Sequence, residues 1–116
     1  MGNILVAQNK EDDKLTDVIE EPTNEFGQNA LMIAINNKDE IRIKNLLNNA
    51  KYLNEKDKYG WTPIIYSIHT ADISIIKLIL EKNPNMSILT DDKLSPLQHA
   101  KITRNQEIIE LFLSNK

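Results

Sequence analysis

The chain contains no cysteine among its 116 residues. Disulfide bonds, cysteine-based metal sites and thiol chemistry are therefore excluded, and a cytoplasmic location is favoured, with nuclear entry also compatible. Long apolar runs are missing too, since none approaches the roughly 20 residues that a membrane-spanning helix requires. The formal net charge of −3 gives no support for a nucleic-acid partner, which would favour a basic protein face.

Glycine and histidine are also scarce, with three and two residues respectively. The isolated glycines cannot form a loop that holds phosphate. We expect His69 to be solvated in a break between two helices and His99 to pack within a helix, and no third side chain is spaced to complete a zinc site. The serines lack the context of a catalytic nucleophile. We therefore predict no cofactor, no metal and no enzyme activity. An enzyme would require that stacking of the repeats place His99 beside a carboxylate.

The sequence repeats with a period of 33 residues. The segment "GWTPIIYSI" from Gly60 aligns with "GQNALMIAI" from Gly27 and with "KLSPLQHAK" from Lys93. Matched positions hold polar, apolar, small and again apolar residues: Asn29, Thr62 and Ser95; Leu31, Ile64 and Leu97; Ala34, Ser67 and Ala100; Ile43, Ile76 and Ile109. Several positions that stay in phase over three copies indicate an array of structural repeats.

Each copy is predicted to form a turn followed by two helices. The Asn, Thr or Ser side chain at the first matched position is of a type that caps a helix start, and the proline that follows it in two copies suits the first helical position. After breaks near 36–38, 69–71 and 103–105, apolar residues recur with helical spacing. One helix pair cannot bury its apolar stripe alone, so the copies must stack into an all-α solenoid.

The unit resembles the ankyrin repeat family, whose fingerprint is D-x-x-G-x-T-P-L-H-x-A. Asp57, Gly60, Thr62 and Pro63 match this fingerprint directly. The resemblance implies one all-α ankyrin-repeat domain over 1–116. Its predicted divisions are an N-terminal capping repeat at 1–23, repeats at 24–56 and 57–89, and a third repeat at 90–116 that forms the C-terminal cap. Two departures are that Lys93 replaces a glycine expected to need positive φ, and that Met32, Ile65 and Gln98 replace the family histidine.

The N-terminal segment allows two interpretations. Residues 1–23 are expected to form a degenerate capping repeat, and the alternative is a disordered tail with one fraying helix. Gly2 would be an N-myristoylation acceptor after removal of Met1, but Val6 stands where Ser or Thr is usual. Asn3 as a helix cap is the simpler explanation. Contact with a membrane is expected only if Gly2 is acylated, and one acyl chain would bind marginally.

The resemblance also implies a binding surface for another protein, formed by finger-like turns and the first helices. The positions that the fold leaves free there are Phe26, Lys58, Tyr59, Trp61, Asp91, Asp92 and Leu94, with His69 beside them. Phe26 and Tyr59 recur on adjacent turns, as do Trp61 and Leu94. Trp61 alone could equally pack over a neighbouring turn, but a row of aromatics favours a contact surface. The aspartates would favour a basic patch on the partner or lie solvated in a turn.

The sequence thus predicts a monomeric, non-catalytic interaction module that acts as an adaptor or inhibitor by occupying its partner. The alternative is a myristoylated adaptor close to a membrane.

Overall fold

The computed structural model of the protein describes residues 23–115, which contain seven α-helices and no strand. The helices are α1 (Ala30–Asn36), α2 (Glu40–Leu46), α3 (Ala50–Leu53), α4 (Pro63–Thr70), α5 (Ile73–Leu80), α6 (Pro96–Ile102) and α7 (Gln106–Ser114). The predicted capping repeat lies outside these residues apart from Thr23, and so does Gly2. None of the described helices is long and apolar enough to cross a membrane.

The helices pack in pairs, and the pairs stack. Within each predicted copy the first helix packs on the second, which joins α1 to α2, α4 to α5 and α6 to α7. Between copies, α4 packs against α1 on one side and α6 on the other. The all-α solenoid of stacked helix pairs is therefore confirmed, while the boundaries of the predicted copies stay a prediction.

The stacked first helices approach closely because each carries a small buried residue. Ala34, Ser67 and Ala100 are 2%, 0% and 0% exposed, and the Ser67 hydroxyl is satisfied by donating to the Ile64 carbonyl at 2.7 Å. On the second helices Ile43 and Ile76 are fully buried. The equivalent Ile109 on α7, the last of the described helices, is only half-buried.

Two of the three predicted helix caps form. The Asn29 side chain accepts a hydrogen bond from the Met32 backbone N–H at 2.9 Å, and the Ser95 hydroxyl accepts one from the Gln98 N–H at 3.2 Å. In both cases the third helical residue returns a hydrogen bond to the backbone N–H of the cap, which completes a capping box.

Thr62 is the N-cap residue of α4, as predicted, but the expected capping by its side chain is wrong. Its side chain makes no capping bond, and its buried Oγ1 has no hydrogen-bond partner within the described residues. The Ile65 N–H instead donates to the Thr62 backbone carbonyl at 3.0 Å. Ile65 also has no polar side chain with which to complete a capping box, unlike Gln98 in the third copy.

Two helix boundaries also differ from the prediction. The one-turn helix α3 follows α2 in the first copy, in addition to the two helices predicted for each copy. Asn49 caps α3 by accepting from the Lys51 N–H at 3.0 Å, and Tyr52 and Leu53 bury their side chains. In the second copy, α4 continues to Thr70 and ends at Ala71 with φ of 60°, so His69 belongs to a helix and not to a break.

Three finger turns precede α1, α4 and α6, and we refer to residues 24–28, 57–61 and 90–94 as the first, second and third fingers. Each is closed by a backbone hydrogen bond from its first residue to the carbonyl of its fifth, at 3.2, 2.9 and 3.0 Å. Adjacent fingers are joined as well: the Lys58 N–H donates to the Phe26 carbonyl, and the Asp91 N–H donates to the Tyr59 carbonyl, both at 3.0 Å. The fingers therefore form a continuous stacked edge.

Glycine is required where one finger lies against the next. Gly27 and Gly60 have φ of 77° and 80°, and a Cβ on either would lie 2.8 Å from the backbone nitrogen of the following finger. Lys93 occupies the equivalent position with φ of 68°, which confirms the expected left-handed conformation. No further finger stacks on the third one within the described residues, so the side chain of Lys93 projects into solvent.

Candidate protein-binding surface on the finger turns

The structure exposes most of the residues that the sequence predicted for partner binding. Phe26 and Tyr59 are 46% and 55% exposed although both are large and apolar. The remaining predicted residues are exposed or half-buried: Lys58, His69, Asp91 and Asp92 are exposed, and Trp61 and Leu94 are half-buried. The fingers thus present two exposed aromatic rings on adjacent turns.

Asp57 organises the second finger. One carboxylate oxygen accepts hydrogen bonds from the backbone N–H groups of Tyr59 at 2.8 Å and Trp61 at 2.9 Å, and the other accepts from the Tyr66 hydroxyl. Gln28 of the first finger donates to the same hydroxyl at 3.0 Å. Burial, together with the hydrogen bond to the carboxylate, raises the pKa of Tyr66 to about 12. The phenol therefore stays protonated and ties two fingers to α4.

Trp61 packs on its own fold as well as facing solvent. Its ring stacks on His69 with centroids 4.7 Å apart and an interplanar angle of 20°. Tyr66 and His99 meet the same indole edge to face at 5.4 and 5.6 Å. Of the two roles that the sequence left open for Trp61, packing within the fold is therefore observed, because the side chain fastens the second finger to the first helices. Its contact with a partner stays a prediction.

His69 and His99 form a hydrogen-bonded pair. His69 Nε2 lies 3.0 Å from His99 Nδ1, and His99 Nε2 lies 3.3 Å from the Thr90 hydroxyl. The Thr90 hydroxyl donates to the Leu94 carbonyl at 3.4 Å, so all three bonds form when His99 donates to Thr90 and His69 donates to His99. His69 is therefore exposed, as predicted, but its ring is also held in place by the hydrogen bond to His99.

Burial lowers the pKa of both histidines. Desolvation is the cause for His69. For His99, which is 4% exposed, desolvation is reinforced by the neighbouring His69 and opposed by the carboxylate of Asp92. The lowered pKa values favour the neutral form of both rings. The hydrogen-bonded chain itself requires only that Nδ1 of His99 carry no proton.

A pocket of about 330 Å³ lies between the second and third fingers. Its walls are Asp57, Tyr59, Trp61, Tyr66, Asp91 and Asp92. Four of these residues were predicted from the sequence, and the pocket brings them together. Phe26, Lys58, His69 and Leu94, which were predicted with them, do not line it.

Sequence reasoning missed Asp57 and Tyr66 as residues of this pocket. Asp57 was recognised only for its place in the repeat fingerprint. Tyr66 had no signal beyond helical spacing, because its contact with Asp57 depends on how the finger folds over α4. Among residues 23–115, no group of three histidine or carboxylate side chains is placed to hold a metal ion.

Comparisons with known proteins agree with this architecture. The family model for ankyrin repeats (3 copies) matches residues 3–89. Ankyrin repeat, SAM and basic leucine zipper domain-containing protein 1 of Rhinolophus ferrumequinum is 29% identical over 86 residues, covering 70% of this chain and 18% of that protein. A putative ankyrin repeat protein of fowlpox virus (strain NVSL) is 32% identical over 79 residues, covering 67% of this chain and 12% of that protein.

A solved structure is similar over most of the chain. It is an ankyrin repeat domain from Acinetobacter baumannii AYE, with a TM-score of 0.73 and 25% identity, covering 86% of this chain and 55% of that one. The chain therefore spans less than a fifth of the length of the two relatives named above, and about half of this structural neighbour. The 33-residue period, the stacked helix pairs, the finger turns and the match over residues 3–89 together show that the chain belongs to the ankyrin repeat family.

Proposed function

We propose that the chain is a non-catalytic module that binds another protein through its stacked fingers and the first helices beside them. The observation that carries this proposal is the exposure of Phe26 and Tyr59 on adjacent, hydrogen-bonded turns. Large aromatic side chains are the residue types that contribute most to binding at protein interfaces. Ankyrin repeats generally serve as protein-interaction modules, which agrees with this assignment.

The fingers are suited to binding because their backbone is held in place. Each turn is closed by its own hydrogen bond, and the side chains of Asn24 and Asp57 fix the backbones of their fingers. Asn24 accepts from the N–H groups of Phe26 and Gln28, both at 3.0 Å, and Asp57 accepts from the equivalent groups of the second finger. A surface that is ordered before binding loses less conformational freedom when the partner arrives.

The module would act by occupancy, as an adaptor or inhibitor that covers or tethers one partner protein. We propose a cytoplasmic setting for it on the basis of the cysteine-free composition. The alternative of a myristoylated adaptor depends on Gly2, which lies outside the described residues, and no contact of the described residues favours it.

Site-specific crosslinking tests the proposed surface. A photoreactive phenylalanine analogue is placed at position 59 in the second finger or, as a matched control, at position 41. Ile41 is 77% exposed and lies on α2, outside the fingers. We expect a discrete adduct with one protein of the native cell from position 59 and none from position 41.

The double variant Phe26→Ala, Tyr59→Ala supplies the second arm of this experiment. Because position 59 is alanine in this variant, the partner is captured here by affinity on the immobilised protein and not by crosslinking. Both side chains are largely exposed, so their removal should leave the helical content unchanged while the amount of captured partner falls strongly. Equal adducts from positions 59 and 41, or undiminished capture by a folded double variant, would refute the proposed surface.

A further inference from the structure

The pocket between the second and third fingers combines aromatic walls with free negative charge. Asp91 and Asp92 are exposed and line the pocket with Asp57, Tyr59, Trp61 and Tyr66. Within residues 23–115 neither Asp91 nor Asp92 forms an ion pair or a side-chain hydrogen bond. Their carboxylates are therefore available to a ligand.

The third carboxylate in the pocket is already occupied. Asp57 receives the N–H groups of Tyr59 and Trp61 and the hydroxyl of Tyr66. It contributes negative charge and a fixed shape, whereas Asp91 and Asp92 can accept hydrogen bonds from an incoming group. Lys58 follows Asp57 and Lys93 follows Asp92 in the sequence. Both lysines are exposed, however, and neither lines the pocket.

The aromatic walls differ in how they are held. Trp61 is anchored by its stack on His69 and Tyr66 by its bond to Asp57, so both keep a fixed position. Tyr59 is 55% exposed and has no aromatic partner within the described residues. Its ring is thus free to lie against a group that enters between it and the two aspartates.

We propose that this pocket receives the guanidinium group of an arginine side chain in the partner protein. A cation is attracted both by carboxylates and by the faces of aromatic rings. A guanidinium suits this pocket better than an ammonium because it is planar, can stack on an aromatic ring and can donate to two carboxylate oxygens at once. The inference rests on the proposed function and specifies which side chain of a partner the finger surface would recognise.

The single tryptophan makes the pocket directly observable. Because Trp61 lines the pocket and is the only tryptophan in the chain, its indole N–H gives one assigned signal in a proton–nitrogen NMR spectrum. The probes are acetylated, amidated pentapeptides of glycine whose central residue is arginine, lysine or citrulline. Citrulline has nearly the shape of arginine but carries no charge.

We expect the arginine peptide to shift the Trp61 indole signal in a saturable way. Its affinity should exceed that of the lysine peptide, and it should exceed that of the citrulline peptide at least tenfold. The double variant Asp91→Asn, Asp92→Asn should bind the arginine peptide at least tenfold more weakly than the wild type does. Since neither side chain makes a hydrogen bond within residues 23–115, this variant should fold normally, as an unchanged circular dichroism spectrum would show.

A charge-matched control separates a specific pocket from general attraction. The double variant Glu81→Gln, Glu107→Gln changes the net charge equally but removes two exposed carboxylates away from the pocket, one just after α5 and one on α7. It should leave the arginine affinity unchanged. Equal affinity for arginine and citrulline peptides, no saturable shift of Trp61, or an equal loss in the control variant would each overturn the proposal.

Failure of this inference can be told apart from failure of the proposed function. The Asp91→Asn, Asp92→Asn variant could capture as much native partner as the wild type while Phe26→Ala, Tyr59→Ala captures none. In that case the fingers bind a protein, but the pocket does not recognise an arginine of it. If neither variant changes capture, the proposed function itself is wrong.

Discussion

Gly60 is the position at which the stacking of the fingers can be tested by a single methyl group. Its φ is 80°, and a Cβ added there would lie 2.8 Å from both the backbone nitrogen and a carboxylate oxygen of Asp91. Gly60→Ala should therefore strain the turn and push the third finger away, which lengthens the hydrogen bond between Asp91 and Tyr59.

The expected change in the free energy of unfolding is the sum of three contributions. A left-handed alanine costs about 1–2 kcal/mol relative to glycine, and disturbing one backbone hydrogen bond costs about 1 kcal/mol. The smaller freedom of alanine in the unfolded chain returns about 0.4–1 kcal/mol. We therefore expect Gly60→Ala to lower the free energy of unfolding by about 2 kcal/mol.

Lys93→Gly is the matched control. Lys93 has the same left-handed backbone, with φ of 68°, but no finger stacks on it within the described residues. Glycine relieves the strain of the left-handed backbone but gives the unfolded chain more conformational freedom, and these two effects oppose each other. The substitution should therefore stabilise the protein by about 0.5–1 kcal/mol. The excess of the Gly60→Ala loss over the Lys93→Gly gain measures the contact between fingers.

Urea unfolding provides the assay, followed by circular dichroism for the helices and by the fluorescence of Trp61 for the second finger. The slope of the free energy against urea must stay constant for the values to be compared. If Gly60→Ala costs no more than Lys93→Gly gains, the close approach of the fingers contributes nothing to the stability of the protein.

Three further predictions use the same assay. Thr62→Val should stabilise the protein by about 1 kcal/mol because it removes a buried hydroxyl that has no hydrogen-bond partner, and a loss of stability would show that the hydroxyl is satisfied. Trp61→Ala should lower the free energy of unfolding by about 2 kcal/mol, which is less than the loss for a fully buried aromatic residue. Tyr59→Ala should change it by no more than about 0.5 kcal/mol. Equal losses would contradict the distinction between the packed ring of Trp61 and the exposed ring of Tyr59. The free energy of unfolding should fall as the pH is lowered from about 7.5 to about 5.5. The pKa values of His69 and His99 in the folded protein lie below the unfolded value of about 6.5, so the unfolded state binds more protons in this range. His69→Phe should flatten this dependence, and an unchanged slope would contradict the lowered pKa of His69.

The fold was predictable because its determinants are local and repeated. Capping residues and apolar spacing recur every 33 residues, and each mark can be recognised without knowledge of the rest of the chain. The errors arose where a local rule met a particular neighbour. Thr62 has the right chemistry for a cap, but Ile65 has no polar side chain that could return a hydrogen bond to it. The short helix α3 depends on Asn49 as a cap and on burial of Tyr52 and Leu53, which the repeat pattern does not specify.

The candidate surface was predictable only as a set of free positions. Positions in the fingers could be assigned to the solvent side because the fold constrains the others. Which of these side chains meet could not be predicted, since the pairs are distant in sequence. His69 and His99 are 30 residues apart, and Tyr59 and Asp91 meet only when two fingers stack. The role of Trp61 was ambiguous for the same reason, because its stack on His69 depends on α4 continuing through that residue.

The most direct test of the proposed role is the affinity of the native partner for the wild type and for two variants of known stability. Once crosslinking at position 59 has identified the partner, its dissociation constant is measured for the wild type, for Phe26→Ala, Tyr59→Ala and for Ile41→Ala. The proposed finger surface predicts that the finger variant binds at least a hundredfold more weakly while Ile41→Ala binds like the wild type. Equal affinity of all three folded proteins would contradict it.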